Sequence, residues 1–355
     1  MSTNGDINLQ WPVEHLQAVP RCPVCAGECS RELLHAEMSD RVFGIAPGAW
    51  SLYRCNGCRS AWLDPRPDAE SLPLAYAGYF THGEIRQRVI VRRRGMVRRY
   101  LHDVLNDYMN HRYGTHLQPA VRHGYWLAWL LPPLRAAADA ACRHLPNVPH
   151  GGGSLLDVGC GNGAFLRLAS EMGWSVSGLD FDPHAVEQAR NAGFSVTVGG
   201  IDELDHVTDG YDVITLSHVV EHVADPNDLL VRLHRLLKPG GRLWMETPNI
   251  HSLGHRLYGR NWRDLDPPRH LLLLNKSSLR VALSLAGFVE IEQRWHAMQV
   301  FGIFNASEAI RRGQGGVASE DKRRHFLSSF VEVAEWLLPS RREFLTITAR
   351  KPASP

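Results

Sequence analysis

No stretch of this 355-residue sequence is apolar for long enough to cross a bilayer. The longest such run, Gly124 to Leu134, is far short of the roughly 20 residues a spanning helix needs, and Pro132 and Pro133 break it. The amino terminus, MSTNGDINLQWPVEH, has neither a basic start nor an apolar core, so no targeting segment is expected and a cytoplasmic protein is. A dominant charge is also missing: Lys+Arg 39 against Asp+Glu 37 leaves net +2, too balanced for the total alone to declare a nucleic-acid protein. Lysine itself is scarce, four residues against 35 Arg, a bias that suits planar phosphate and carboxylate contacts but also follows genome base composition. The seven Cys are an odd number, four of them in paired CxxC steps, which fits metal ligation in a reducing compartment better than disulfides. Internal repeats and low-complexity tracts are absent. With 44% hydrophobic and 21% charged residues a sizeable core is available, and the length implies one catalytic-sized domain plus a smaller module.

Three regions differ in character. Residues 1–70 are rich in Cys, Pro and Gly and read as a small loop-rich module. Residues 71–150 form an Arg-rich helical segment and linker: between Thr81 and His150 eleven Arg stand against four acids. Val89, Met96, Val97, Tyr100, Leu101, Val104, Leu105 and Tyr108 recur with helical period there, and HLPNVPHGGG closes the segment. From 151 to 355, apolar strand-like runs alternate with amphipathic helices, the pattern of a parallel α/β sheet with crossover helices. Residues 297–342 interrupt that alternation as an insertion before the last strand, EFLTITARK.

LLDVGCGNGAFL is the most informative stretch. Gly159, Gly161 and Gly163 alternate at the carboxyl end of an apolar strand and directly before a helix, so a ligand can approach the backbone beside the positive end of that helix. Asp157 precedes the turn, where an ammonium group is welcome and a phosphate is not. Asp180 ends the next strand, where a carboxylate suits both hydroxyls of a ribose. With SHVVEHV and LLKPGG at the matching intervals, the segment from about Gly153 to Lys351 resembles the class I S-adenosylmethionine-dependent methyltransferases.

That resemblance implies a Rossmann-like seven-stranded sheet with helices on both faces. By position, Asp157 and the backbone of Gly159, Cys160, Gly161 and Gly163 face the methionine part of S-adenosylmethionine, Asp180 the ribose and Phe181 the adenine. The acid that the family often sets after its third strand is matched by Asp202, one or two places late, and Ser217 and His218 complete the cofactor wall.

SHVVEHV places His218, Glu221 and His222 just past the fourth strand, and DPPRHLLLL offers His270 on a loop stiffened by two prolines. Motifs ending in EHV resemble those of ubiquinone-pathway O-methyltransferases. Three readings stay open: the four residues ligate a divalent metal; one histidine is a general base oriented by Glu221; or Glu221 and His222 tie the loop to the sheet. Many family members keep EHV without a metal, which favours the last two, and His218 is the first choice for the residue nearest the acceptor.

Cys22-Pro-Val-Cys25 and Cys55-Asn-Gly-Cys58 are two thiolate knuckles, the donor set of a closed tetrahedral zinc site. A zinc ribbon ahead of this methyltransferase type resembles bacterial enzymes acting on sugars, nucleotide-sugars or secondary metabolites. The resulting expectation is methyl transfer to a small acceptor, glycosyl or phosphate-bearing, by in-line attack with histidine-assisted deprotonation. The helices of 71–150 and the insertion 297–342 would form the acceptor lid. Methylation of structured RNA, and a non-catalytic docking protein, are the alternatives.

Overall fold

The computed structural model describes residues 10–76, 95–297, 300–316 and 324–353. Its first part is short strands. β1 (Leu16–Gln17) pairs antiparallel with β5 (Arg66–Pro67), and β2 (Arg31–Met38), β3 (Trp50–Cys55) and β4 (Ala61–Leu63) form an antiparallel meander. The period-2 alternation along β3 buries Trp50 and Leu52 and leaves Ser51 and Tyr53 half-buried.

Among the described residues three helices follow: α1 (Met96–Tyr113), α2 (Gly124–Trp129) and α3 (Pro132–Ala141). Gly124 permits their close approach, since a Cβ there would stand 2.8 Å from the Val104 carbonyl oxygen. The Tyr108 and Tyr113 hydroxyls both donate to Asp139 Oδ1, at 2.8 and 2.7 Å. Val104, Leu105 and Tyr108 pack with Leu155 and Trp174 of the main sheet. The part of the expected helix around Val89, and Arg86 to Arg94, lie outside the described residues.

The main sheet has seven strands. β6 (Gly153–Val158), β7 (Trp174–Asp180), β8 (Ser195–Val198), β9 (Tyr211–Ser217) and β10 (Leu237–Pro248) run parallel. They are linked through α4 (Ala164–Glu171), α5 (Pro183–Asn191) and α6 (Pro226–Leu236). Asp182 and Asp225 cap α5 and α6 by accepting main-chain N–H bonds, and each is followed by proline at the first helical position. After β11 (Leu272–Leu273), the chain adds β12 (Val289–Arg294) and β13 (Phe344–Arg350), both in antiparallel pairings. The order β12-β13-β10-β9-β6-β7-β8 reverses direction between β6 and β9, the switch point at which such sheets open a crevice beyond their carboxyl ends. The expected seven-stranded Rossmann-like sheet is therefore present. Among the described residues α7 (Leu253–Tyr258), α8 (Lys276–Leu285), α9 (Val300–Arg311) and α10 (Arg324–Leu337) complete the helical complement, α9 and α10 within the segment read as an insertion.

The chain after Pro268 ties the meander to the main sheet. β11 adds to the edge of β4, with Leu272 opposite Trp62, so the small sheet has four strands and one comes from far down the chain. Leu271 N–H donates to the Glu221 carbonyl (2.8 Å) and Leu63 N–H to the Leu271 carbonyl (3.0 Å). Trp62, Leu272 and Leu274 are buried in one cluster with Leu230 and Leu279. Beneath this strap lies a buried ion network. Arg269, 1% exposed, donates to both Asp40 oxygens (3.1 and 2.6 Å), both Asp266 oxygens (2.7 and 3.1 Å) and the Ala75 carbonyl (2.9 Å).

Candidate active site

The Gly-rich turn takes the conformation its composition suits. Gly159, Gly161 and Gly163 all have positive φ (72°, 53° and 80°), and Gly159 N–H and Cys160 N–H both donate to the Leu179 carbonyl (2.8 and 3.0 Å). A Cβ on Gly159 would stand 2.5 Å from Val219 Cγ2, so the turn rests directly on the SHVVEHV segment.

Asp180 lies at the carboxyl end of β7, half-buried. Its Oδ2 accepts from Gly161 N–H (2.7 Å) and its Oδ1 from Asp182 N–H (2.9 Å), which aims the carboxylate across the mouth of the turn with lone pairs to spare. Burial raises its pKa, and the two main-chain donors oppose that shift. Phe181, next in the chain, is 74% exposed. A Cβ on Gly200 would meet Asp202 Oδ1 at 2.6 Å and the Phe181 ring at 3.0 Å, so Gly200 separates an aromatic face from a carboxylate. Phe181 and Asp202 are thus brought together beside Asp180. Ser217 ends β9, half-buried.

Asp157 departs from expectation in its surroundings. It is 0% exposed and paired with the Arg143 guanidinium, while Thr215 Oγ1 donates to its Oδ1 at 2.9 Å. Arg143 also donates to Thr215 Oγ1 (2.8 Å) and lies over the Phe165 ring (3.8 Å). Burial pushes the Asp157 pKa up, against the Arg143 charge. The acid therefore stands behind a cation rather than facing the crevice. Arg143 counted in the sequence only as one of the eleven Arg between Thr81 and His150, with no motif to single it out; two successive non-glycine residues with positive φ, Arg143 and His144, turn it inward.

The residues after β9 converge. His218 has φ 56° and its side chain is 34% exposed. Its Nδ1 lies 3.1 Å from Glu221 Oε1 and its Nε2 3.7 Å from Glu246 Oε1. Burial alone would lower the His218 pKa, but the Glu221 and Glu246 carboxylates outweigh it and raise it. Glu221, 0% exposed, also accepts from Thr247 Oγ1 at 2.9 Å. Burial works to raise its pKa, yet the neighbouring histidines bring it down to about 2. His222 Nδ1 is 2.9 Å from the Arg269 carbonyl and from the Tyr76 hydroxyl. Burial, then His270, lowers its pKa to about 4. His270 Nδ1 is 2.7 Å from the Asp264 carbonyl, and the His222 and His270 rings meet edge-on at 4.8 Å between centroids. All four residues singled out from the sequence thus lie in one cluster.

Three neighbours carried no readable motif. Tyr76 arrives from the first segment, and Glu246 and His296 pair at 2.6 Å. A signal for Glu246 existed: it is a charged residue within the apolar strand RLWMETPN. Burial pushes its pKa up, but His296 and then His218 bring it to about 2.

At the other end of the first segment, Cys22 and Cys58 Sγ are 3.5 Å apart, Cys25 and Cys55 Sγ 3.7 Å, and all four sulfurs lie within 4.8 Å of one another. Tetrahedral zinc thiolates, with Zn–S of about 2.3 Å, place sulfurs about 3.8 Å apart, so the residues fit the ion. Cys58 N–H points to Cys55 Sγ (3.4 Å), and Asn227 and Asn275 side chains hold the carbonyls of Val24 (3.0 Å) and Cys58 (2.8 Å). The two cysteine knuckles are latched to α6 and to the cap of α8.

Comparison with known proteins bears directly on this crevice. Residues 134–293 match the family model of a methyltransferase domain. That segment is a methyltransferase domain. Curated relatives of this domain include a ubiquinone biosynthesis O-methyltransferase of Xanthomonas oryzae pv. oryzae, 34% identical over 105 residues (28% of this chain, 44% of the relative). Another, with the same printed description, is from Thiobacillus denitrificans, 33% identical over 116 residues (31% and 50%). The chain spans about half the length of the curated relatives it matches. Among solved structures, an S-adenosylmethionine-dependent methyltransferase from Mesorhizobium loti aligns with TM-score 0.41 and 24% identity, over 61% of this chain and 98% of that one. No helix of the described residues is long and apolar enough to cross a membrane.

Proposed function

We propose that this chain transfers the methyl group of S-adenosylmethionine to an oxygen of a small acceptor, a sugar, nucleotide-sugar or secondary metabolite, in the cytoplasm. The observation that carries the reading is the grouping of Asp180, Phe181, Gly200 and Asp202 at the carboxyl end of β7, a carboxylate, an exposed aromatic ring and a second carboxylate side by side. Asp180 would take the ribose hydroxyls, the exposed Phe181 ring one face of the adenine and Asp202 its amino group. The backbone of Gly159, Cys160, Gly161 and Gly163 would line the methionine part. Arg143 is well placed to meet the cofactor carboxylate, with Asp157 behind it as its counter-ion. The match to ubiquinone biosynthesis O-methyltransferases supports oxygen as the atom methylated.

In the reaction, the acceptor hydroxyl gives its proton to His218 Nε2 while Nδ1–H is held by Glu221. The oxygen lone pair forms the new O–C bond, and the C–S electron pair returns to sulfur, leaving neutral S-adenosylhomocysteine. Loss of the sulfonium charge needs no protein group to receive it. The four thiolates would hold a structural zinc that fixes the first segment, 1–70, against the methyltransferase domain. The helices of 71–150 and the insertion 297–342 would cover the acceptor.

Calorimetry with S-adenosylhomocysteine on wild type and Asp180→Ala tests the cofactor. Micromolar binding lost in the variant supports it, and a screen of hydroxylated acceptors with labelled S-adenosylmethionine then identifies the substrate. No binding by well-folded protein would overturn the reading in favour of a docking role.

A further inference from the structure

We propose that α2 and the turn after it dock this chain on the surface of an anionic phospholipid bilayer, with Trp126, Trp129 and Leu130 in the interface and Arg122 and Arg135 on lipid phosphates. A surface helix buries its apolar side, and α2 does the reverse. Trp126, Trp129 and Leu130 stand at i, i+3 and i+4, on one side of the helix, and are 68%, 51% and 76% exposed. The buried side is Gly124 and Ala128. A Cβ on Gly124 would come within 2.9 Å of the Val104 main chain and of Asp107 Cβ, so α1 admits only the small residues and the bulky ones turn outward.

The outward rings are held in place before any partner arrives. Tyr125 stacks on Tyr108 with 5.7 Å between centroids and 16° between planes. It also meets Trp126 and Trp129 edge-on, at 5.2 and 6.4 Å. The Arg135 guanidinium lies over the Trp129 ring at 4.0 Å. Little side-chain freedom is left to lose on docking.

Charge selects the occupant. The sequence has no Asp or Glu between Asp107 and Asp139, while Arg112, Arg122 and Arg135 fall in that interval. Both flanking acids are engaged within the helices: Asp107 accepts from the Tyr125 N–H (2.8 Å) and Asp139 from two tyrosine hydroxyls. Among the described residues of 95–150 no carboxylate is exposed, whereas Arg99, Arg112 and Arg122 are. A second copy seated here through a twofold axis would set cation against cation with no acid to pair them. A nucleic acid would use the arginines and tryptophans but would leave Leu130 and the exposed Pro132 and Pro133 without a partner. An anionic bilayer uses them all, with tryptophan at headgroup level, Leu130 among the first acyl carbons and guanidinium groups on phosphate. At six residues α2 lies on such a surface and does not cross it.

The proposal is independent of methyl transfer, since none of these residues has been given a part in cofactor binding or proton transfer. Co-sedimentation of the full, zinc-loaded chain with vesicles tests it, phosphatidylcholine alone against phosphatidylcholine with about 30% phosphatidylglycerol. Binding to the anionic vesicles should be about tenfold tighter or more, and should weaken as salt rises. Trp126→Ser with Trp129→Ser should reduce it about tenfold or more. Arg122→Gln with Arg135→Gln should remove the preference for anionic lipid. Leu130→Glu repeats the test at the most exposed position without touching a ring, and should also release the chain from the vesicles. Circular dichroism and the thermal midpoint report that each variant is folded. Wild type that ignores both vesicles or binds them equally, or a folded Leu130→Glu variant that binds as wild type does, overturns the proposal. A wild-type dimer that Leu130→Glu splits in sedimentation velocity would overturn it in favour of self-association. Capture of a single-stranded RNA oligonucleotide in place of anionic vesicles would overturn it in favour of nucleic acid.

Discussion

Arg269→Met should be among the most damaging single changes in this chain, and its effect can be worked out in advance. The guanidinium is 1% exposed and makes five hydrogen bonds, to Asp40, Asp266 and the Ala75 carbonyl. Methionine fills a similar volume but leaves two carboxylates without their cation. Removing one partner of a buried ion pair costs about 3–5 kcal/mol. Asp40 is partly protected, since it also accepts from the main-chain N–H groups of Val42, Phe43, Ile45 and Ala46. The lower half of that range is therefore expected, a midpoint fall of about 5–10 °C. Burial would raise the Asp40 pKa, but Arg269 and the N–H donors bring it down to about 2. A carboxylate whose folded pKa is depressed stabilises the fold above its unfolded value near 4, and that contribution, about 2 kcal/mol, disappears as pH falls toward 2. The difference between wild type and Asp40→Asn should accordingly be full at pH 6 and shrink below pH 4. A double variant, Asp40→Asn with Arg269→Met, should lose about 1–3 kcal/mol less than the sum of the singles. Chemical denaturation of the four proteins at pH 6 measures this. Additivity within 0.5 kcal/mol, or an Arg269→Met cost below 1 kcal/mol, would refute the network as a structural joint.

Three other outcomes follow from the site. Asp180→Ala should weaken S-adenosylhomocysteine by about ten- to a hundredfold, since hydrogen bonds to a charged acceptor are worth about 1.5–3 kcal/mol each; calorimetry giving unchanged affinity would move the ribose elsewhere. Gly159→Ala should abolish cofactor binding and lower stability together, because φ 72° strains an alanine and its Cβ would stand 2.5 Å from Val219 Cγ2; a folded variant that still binds would contradict the packing of the turn on SHVVEHV. Cys58→Ser should cost the bound zinc and expose the first segment to protease, while 134–293 stays resistant; metal analysis showing one zinc retained would argue against a four-thiolate site.

Much of the methyltransferase domain was legible because its signals are local. Period-2 and period-3.6 patterns, Asp-Pro helix starts and alternating glycines act within a few residues, so strands β6 to β10, the caps of α5 and α6, and the placement of Asp180 and Phe181 needed no partner to be read. The four cysteines were legible for the same reason, as two knuckles of fixed spacing. Tertiary structure alone decided what faces what across long intervals. That Asp40 meets Arg269, that Tyr76 reaches His222, and that Leu272 adds a strand beside Trp62 leave no periodic trace, because complementarity of charge and shape between distant segments has no sequence period. Asp157 shows the limit most clearly. Its type and position announced a carboxylate at the turn, but burial needed a cation, and only the fold could bring Arg143 to it.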